Sequence, residues 1–288
     1  MNKSSELTLT IAGDEFDDGY NLFYLNKSLT NLHTLIDKAY LTIEGKSKMM
    51  DSDRENMQIK AYNIRSGSFE TDLIIKLATV TGSMLPIVTS LTPSDILNLV
   101  TQSYTFLKTI LSGNAKGEKY FLDAGDNSNL NVINGSGNIV LQVHPDVLDY
   151  VKRAENNFED LSRMIDPKKG VKNISVVDKK KKTMHFFMGV EERMLFDNKK
   201  RIDPDPVSFK GMIVKVDGES FNGKLKVLEG NKDIPEGEYS FEYLVKDSPI
   251  KLKDAFMDVR KITAMKETVL NPSTLEQRIY KLKIIETA

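Results

Sequence analysis

Cysteine and tryptophan are both absent from this chain of 288 residues, and histidine occurs only three times, as His33, His144 and His185. Without cysteine there is no disulfide, no thiolate nucleophile, no zinc–thiolate site and no iron–sulfur cluster. A cysteine-free chain also suits a reducing compartment, so a cytoplasmic location is expected. The histidines are too scattered for a histidine-rich metal site, and no HExxH, GxSxG or GxxxxGK[ST] pattern occurs. No cofactor or metal is therefore expected. Charge of one sign is lacking too: 40 basic and 41 acidic residues leave a net charge of -1. Such a chain has no global field to draw in nucleic acid or an anionic membrane, and binding of that kind needs a local patch. No apolar run follows the early Lys3, so no secretory signal is expected.

What is present is a globular composition, 40% hydrophobic and 28% charged, at a length that favours two domains. In ELTLTIAGDE, Leu7, Leu9 and Ile11 alternate with Thr8 and Thr10, which predicts a half-buried strand. Leu22, Leu29, Ile36 and Ile43 then recur with Leu25, Leu32 and Ala39 between them. That spacing predicts a helix over about 20–44 with one continuous apolar stripe and His33 at its boundary.

Two strands are predicted around SGS at 66–68. In the second, Phe69, Thr71, Leu73, Ile75 and Leu77 alternate with Glu70, Asp72, Ile74 and Lys76. Glu70 and Asp72 thus share a face, and a solvent-exposed sheet face accounts for them better than an acid/base pair. From Leu77 to Ser94 no charge occurs, yet Gly82, Pro86, Pro93 and several Ser and Thr interrupt the segment. A buried helical hairpin over residues 77–111 is expected, with membrane insertion as its rival. Thr92, Pro93 and Asp95 make a helix start, and Ile96, Val100, Tyr104, Leu107 and Leu111 its apolar side.

After a polar linker at 112–119, NLNVINGSGNIVLQV reads as a hairpin. Its glycines are followed by a strand rather than by the helix that a phosphate loop requires. Residues 145–165 carry a helix with Leu148, Val151, Ala154, Phe158, Leu161 and Ile165 on its buried side. Residues 166–205 are basic. The run Lys179, Lys180, Lys181 and Lys182 joins two predicted strands, so it is expected at a hairpin tip, either solvated or in contact with phosphates.

The last third, 206–288, reads as β-β-β-α-β-β, with the helix in SPIKLKDAFM. That order is expected of a small OB-like barrel. Barrels of this type bind oligonucleotides on the face of their second and third strands, which here offers Lys224, Lys226, Tyr239, Phe241 and Tyr243; alternating aromatics are also what a core looks like. Together, RSGSFETDLII, the uncharged helical pair, NVINGSGNIVLQVHPDVLDYV and the terminal β domain resemble a group of uncharacterised proteins from bacteria and phages. The resemblance implies no catalytic residue and a setting in bacterial–phage conflict.

The expectation is an α+β protein: an N-terminal sheet packed with long helices (1–165), a basic connecting region (166–205) and an OB-like β-barrel (206–288). Its expected function is non-enzymatic binding of a protein partner. The rivals are nucleic-acid binding through Lys179–Lys182 and the barrel, membrane action through the uncharged hairpin, and a hydrolase with a carboxylate–metal site.

Overall fold

The computed structural model describes residues 3–16, 18–65, 68–78, 91–126, 129–166, 168, 170–197, 200–244 and 255–287. The chain divides into a unit that takes in Met1–Asn198 and a second that runs from Lys199 onward, Pro272–Thr274 excepted.

The first unit runs β1 (Lys3–Ala12), α1 (Leu22–Ile43), α2 (Asp51–Asn56), β2 (Met57–Arg65), β3 (Phe69–Leu77), α3 (Pro93–Ala115), β4 (Tyr120–Ala124), β5 (Leu130–Asn134), β6 (Ile139–Val143), α4 (Pro145–Ser162), β7 (Asn173–Asp178), β8 (Met184–Met188) and α5 (Val190–Asp197). Five strands form an antiparallel sheet in the order β2-β3-β1-β7-β8. The region expected as a basic connector therefore supplies two strands of this sheet. The alternation places Leu7, Leu9, Ile11, Leu73, Ile75, Ile174 and Val176 in the core, all at 2% exposure or less. Burial of such side chains stabilises by roughly 1.5–3 kcal/mol each.

Helices α1, α3 and α4 pack against one another, and α3 lies on β1, β3 and β8. Helix α3 begins as its sequence dictates. Thr92 Oγ1 accepts from the Asp95 amide at 3.2 Å, and the Asp95 carboxylate accepts from the Thr92 amide at 2.8 Å. Ile96, Val100, Tyr104, Leu107 and Leu111 are all buried. In α4 the buried side is Val147, Tyr150, Val151, Ala154, Phe158 and Leu161; Leu148 is only partly covered. The stripe of α1 fails at its start, where Leu22 is 74% exposed. Heptad spacing specifies a side of the helix, not how far along it a neighbour extends. Strands β4, β5 and β6 form a separate three-stranded sheet. The NGSGN segment is the β5–β6 turn, in which Asn134 Oδ1 accepts from the amides of Ser136 and Asn138.

The second unit is built from β9 (Lys200–Ile202), β10 (Val207–Val216), β11 (Asn222–Glu229), β12 (Gly237–Tyr243), β13 (Val259–Leu270) and β14 (Gln277–Thr287). The strand order β10-β11-β12-β14-β13 closes through a β10–β13 pairing into a five-stranded barrel, with β12 and β14 parallel and β9 added beside β13. Phe209, Ile213, Leu225, Val227, Phe241, Tyr243, Ile262, Leu282 and Ile284 fill it. Gly223 is required where β11 crosses β10, since a Cβ there would lie 1.9 Å from the Lys215 carbonyl oxygen. Most of the helix expected in SPIKLKDAFM lies outside the described residues; Phe256, at its end, bridges to Ile213 in strand fashion.

Candidate interaction surfaces

Asp72 is the most constrained carboxylate of the first sheet. It sits in the middle of β3, opposite Thr8 of β1 and Tyr62 of β2. The alternation places its side chain on the face away from the helices, and solvent exposure was the expectation there; the side chain is 0% exposed. The reason is two cations from elsewhere in the chain. Lys179 Nζ lies 2.7 Å and Arg65 Nη2 2.9 Å from Oδ2, Asn63 Nδ2 donates at 3.2 Å, and Thr8 Oγ1 donates to Oδ1 at 3.3 Å. Asn63 adopts a left-handed backbone (φ 54°) in a bulge of β2, which turns its amide and Arg65 toward Asp72. Burial pushes the Asp72 carboxyl upward, but the bonds from Lys179, Asn63 and Arg65 outweigh it and hold the pKa at about 2. Glu70, its neighbour on the same face, pairs with Arg65. An acid held ionised at neutral pH and bonded on both oxygens is a clamp between strands, not a proton carrier.

The same clamp accounts for one of the four lysines of the basic run. Lys179–Lys182 do form the β7–β8 turn. Asp178, 6% exposed, holds it through Oδ1, which accepts from the amides of Lys180 at 2.9 Å and Lys181 at 2.6 Å. Lys179 points back onto Asp72, and its own pKa is raised by that bond. Lys180, 72% exposed, lies 3.8 Å from Glu6. Lys181 and Lys182 are exposed. The turn therefore presents fewer than four lysines outward.

Beside the helices, an apolar groove of about 320 Å³ opens between α1 and β2. Leu29, Leu32 and Ile36 of α1, Ile59 and Ala61 of β2 and Leu73 of β3 line it, with Thr30 and His33 at its edge. Strand β2 is the edge of the sheet and pairs only with β3 among the described residues. A charged rim stands nearby. Arg54 of α2 makes two bonds to Asp37 of α1, at 2.7 and 2.5 Å, and His33 Nε2 lies 3.3 Å from Arg54. His33 is thus a boundary histidine between a carboxylate and a guanidinium. A smaller opening of about 220 Å³ is lined by Asp95 and His144 at the starts of α3 and α4, among others. Both residues are committed to capping, His144 Nδ1 accepting from the Asp146 amide at 3.3 Å.

On the barrel the five residues grouped from sequence part company. Phe241 and Tyr243 are 0% and 1% exposed inside the core, and Tyr239 packs against that core with its hydroxyl on the Pro235 carbonyl oxygen. Lys224 and Lys226 lie on the opposite face of the wall, and Lys224 pairs with Glu238 at 2.7 Å. A period of two puts alternate residues on opposite faces, so aromatics on one strand meet lysines on the next only when their registers match. Here Tyr239 pairs with Leu225 and not with either lysine. An aromatic that is exposed on the barrel wall is instead Tyr280 of β14, 48% exposed, with Lys200 Nζ 3.6 Å from its ring centroid. Arg278, also exposed, alternates with buried-side Ile279 and shares Tyr280's face.

No sequence pattern singles out Tyr280 or Arg278, nor Arg65 and Asn63 as partners of Asp72. Asp53 is likewise unmarked in the sequence, a 2%-exposed carboxylate bonded by Lys46, Tyr40 and the Met50 amide. Among the described residues no helix is long and apolar enough to cross a membrane, and no group of three or more His, Asp or Glu could hold a metal ion. Residues 79–90 of the uncharged stretch lie outside the described residues. No protein-family model, curated protein or solved structure matches the chain.

Proposed function

We propose that the chain is a non-enzymatic binding protein whose first unit receives an extended segment of a partner protein along β2. The observation that carries this reading is the apolar groove lying directly beside a strand edge that has no partner among the described residues. A strand added to β2 would gain main-chain hydrogen bonds, and every second side chain would fall toward Ile59, Ala61 and Leu73. Lys60 on the edge and the bulge at Asn63 are devices that limit such pairing, so it is confined to Met57–Tyr62. The commitment of Asp72 and Glu70 to cations supports a role without acid/base chemistry.

The test is a capture from the native host with the intact chain and with Ala61→Arg, followed by mass measurement. A protein retained by the wild type and lost by the variant supports the reading. Identical capture by both overturns it. The further setting in bacterial–phage conflict draws on the sequence resemblance and is tested by comparing plaquing on hosts with and without the gene.

A second reading is favoured by Tyr280. The barrel pairs its first strand with its fourth and its third in parallel with its fifth, an order that supports the OB-like reading. An exposed ring with Lys200 over its face and Arg278 beside it suits a base that stacks in place of the lysine and leaves the two cations for its phosphate. Anisotropy of a labelled single-stranded oligonucleotide at about 50 and about 200 mM salt decides it. Salt-sensitive binding that Tyr280→Ala abolishes and Lys224→Ala leaves intact supports this site; no binding at low salt removes it.

A further inference from the structure

His185 lies on β8 at 8% exposure. Its Nδ1 is 2.8 Å from Thr101 Oγ1 of α3, and that hydroxyl donates its single hydrogen to the Leu97 carbonyl oxygen at 2.7 Å. The hydroxyl can therefore only accept from the ring, so Nδ1 bears the proton and Nε2 is bare. Nε2 is buried and has no hydrogen-bond partner among the described residues. A bare acceptor nitrogen is tolerable in such a place; an N–H bearing positive charge is not.

The charged groups that act electrostatically on the ring are Asp178 at the end of β7 and Lys181 in the turn, while α3 contributes the uncharged Thr101. Burial pushes the His185 pKa down, Asp178 pulls it up and Lys181 pushes it down. Asp178 is also the residue that holds the turn, through the amides of Lys180 and Lys181 on its side chain and that of Lys182 on its carbonyl oxygen.

We propose that His185 is an acid-sensitive latch on the β7–β8 turn. Neutral, it packs with a bare Nε2 and leaves Asp178 to the turn amides. Protonated, it needs an acceptor for a second N–H. The carboxylate within its electrostatic reach is Asp178, and turning that carboxylate toward the ring draws Oδ1 off the amides of Lys180 and Lys181 and loosens the turn that carries Lys179 onto Asp72. The device is independent of the partner groove.

With three histidines in the chain, nitrogen-15 NMR of the intact protein resolves each ring. At about pH 7.5 His185 is expected in the Nδ1–H tautomer. Between about pH 7.5 and about pH 5.5, amide exchange of residues 179–183, corrected for its intrinsic pH dependence, is expected to accelerate tenfold or more. His185→Asn, which keeps a donor toward Thr101 and cannot titrate, is expected to abolish that acceleration. An Nε2–H tautomer at neutral pH overturns the proposal. So does a turn whose corrected exchange is flat in the wild type, or equally accelerated in the variant. Should the variant not fold, the wild-type tautomer and exchange measurements decide alone.

Discussion

Asp72 in the first unit meets Lys179 of the β7–β8 turn and Glu238 in the barrel meets Lys224 of β11, both at 2.7 Å, yet they do so at opposite depths. Asp72 is fully covered and has a second cation, an amide and a hydroxyl on it. Glu238 and its partner Lys224 are both 54% exposed. The pKa of each carboxyl is lowered, Glu238's by Lys224 and Asp72's against a burial penalty that its partners must first overcome. Equal distances thus conceal unequal roles. A surface pair trades one solvated state for another and contributes little, while a covered carboxylate that loses its partners, or cations that lose their carboxylate, carry the desolvation cost unpaired. The first unit uses charge to join strands on its open sheet face; the barrel joins its strands by an apolar core and leaves charge on the wall.

That contrast is open to direct attack. The largest effect is expected in the barrel core, where Phe241→Ala should cost about 3–5 kcal/mol in urea unfolding, because the ring is 0% exposed among Leu225, Tyr243 and Leu282. Asp72→Ala comes next, at about 2 kcal/mol. This falls below the range for fully interior pairs because Lys179 and Arg65 reach solvent.

The pH dependence has a defined sign. A carboxyl whose folded pKa is depressed from 3.8 to about 2 contributes stability that is present above pH 3.8 and lost as pH falls through about 2. His185 acts at milder pH: its depressed folded pKa means the unfolded chain binds the proton first, so stability declines below the ordinary value of 6.5. His185→Asn should flatten that part of a melting-temperature profile. Smallest of all, Lys224→Ala should leave the urea midpoint unchanged within error. A loss there as large as that of Asp72→Ala would erase the distinction between the two regions.

Much of the framework was legible from local pattern. The five strands expected after residue 206 are present, Val207–Val216 and Val259–Leu270 among them, since alternation and flanking turns are local signals. The Thr92–Asp95 cap was legible for the same reason. Asp72 was assigned to the correct face but to the wrong environment, because the lysine that covers it lies 107 residues further along. Grouping Tyr239 and Tyr243 with Lys224 and Lys226 failed on register, which depends on the pairing of two strands rather than on either alone. The groove beside β2 left no mark in the sequence either; it opens between the middle of α1 and an edge strand, a juxtaposition that neither segment encodes alone.

The most direct test of the account is a titration of the Asp72 side-chain carboxyl by carbon-13 NMR in the intact protein. A folded-state pKa near 2, rising toward ordinary carboxylate values in Lys179→Ala, is the predicted result. A wild-type value at or above the ordinary 3.8 would contradict the clamp and return Asp72 to consideration as a group that exchanges protons.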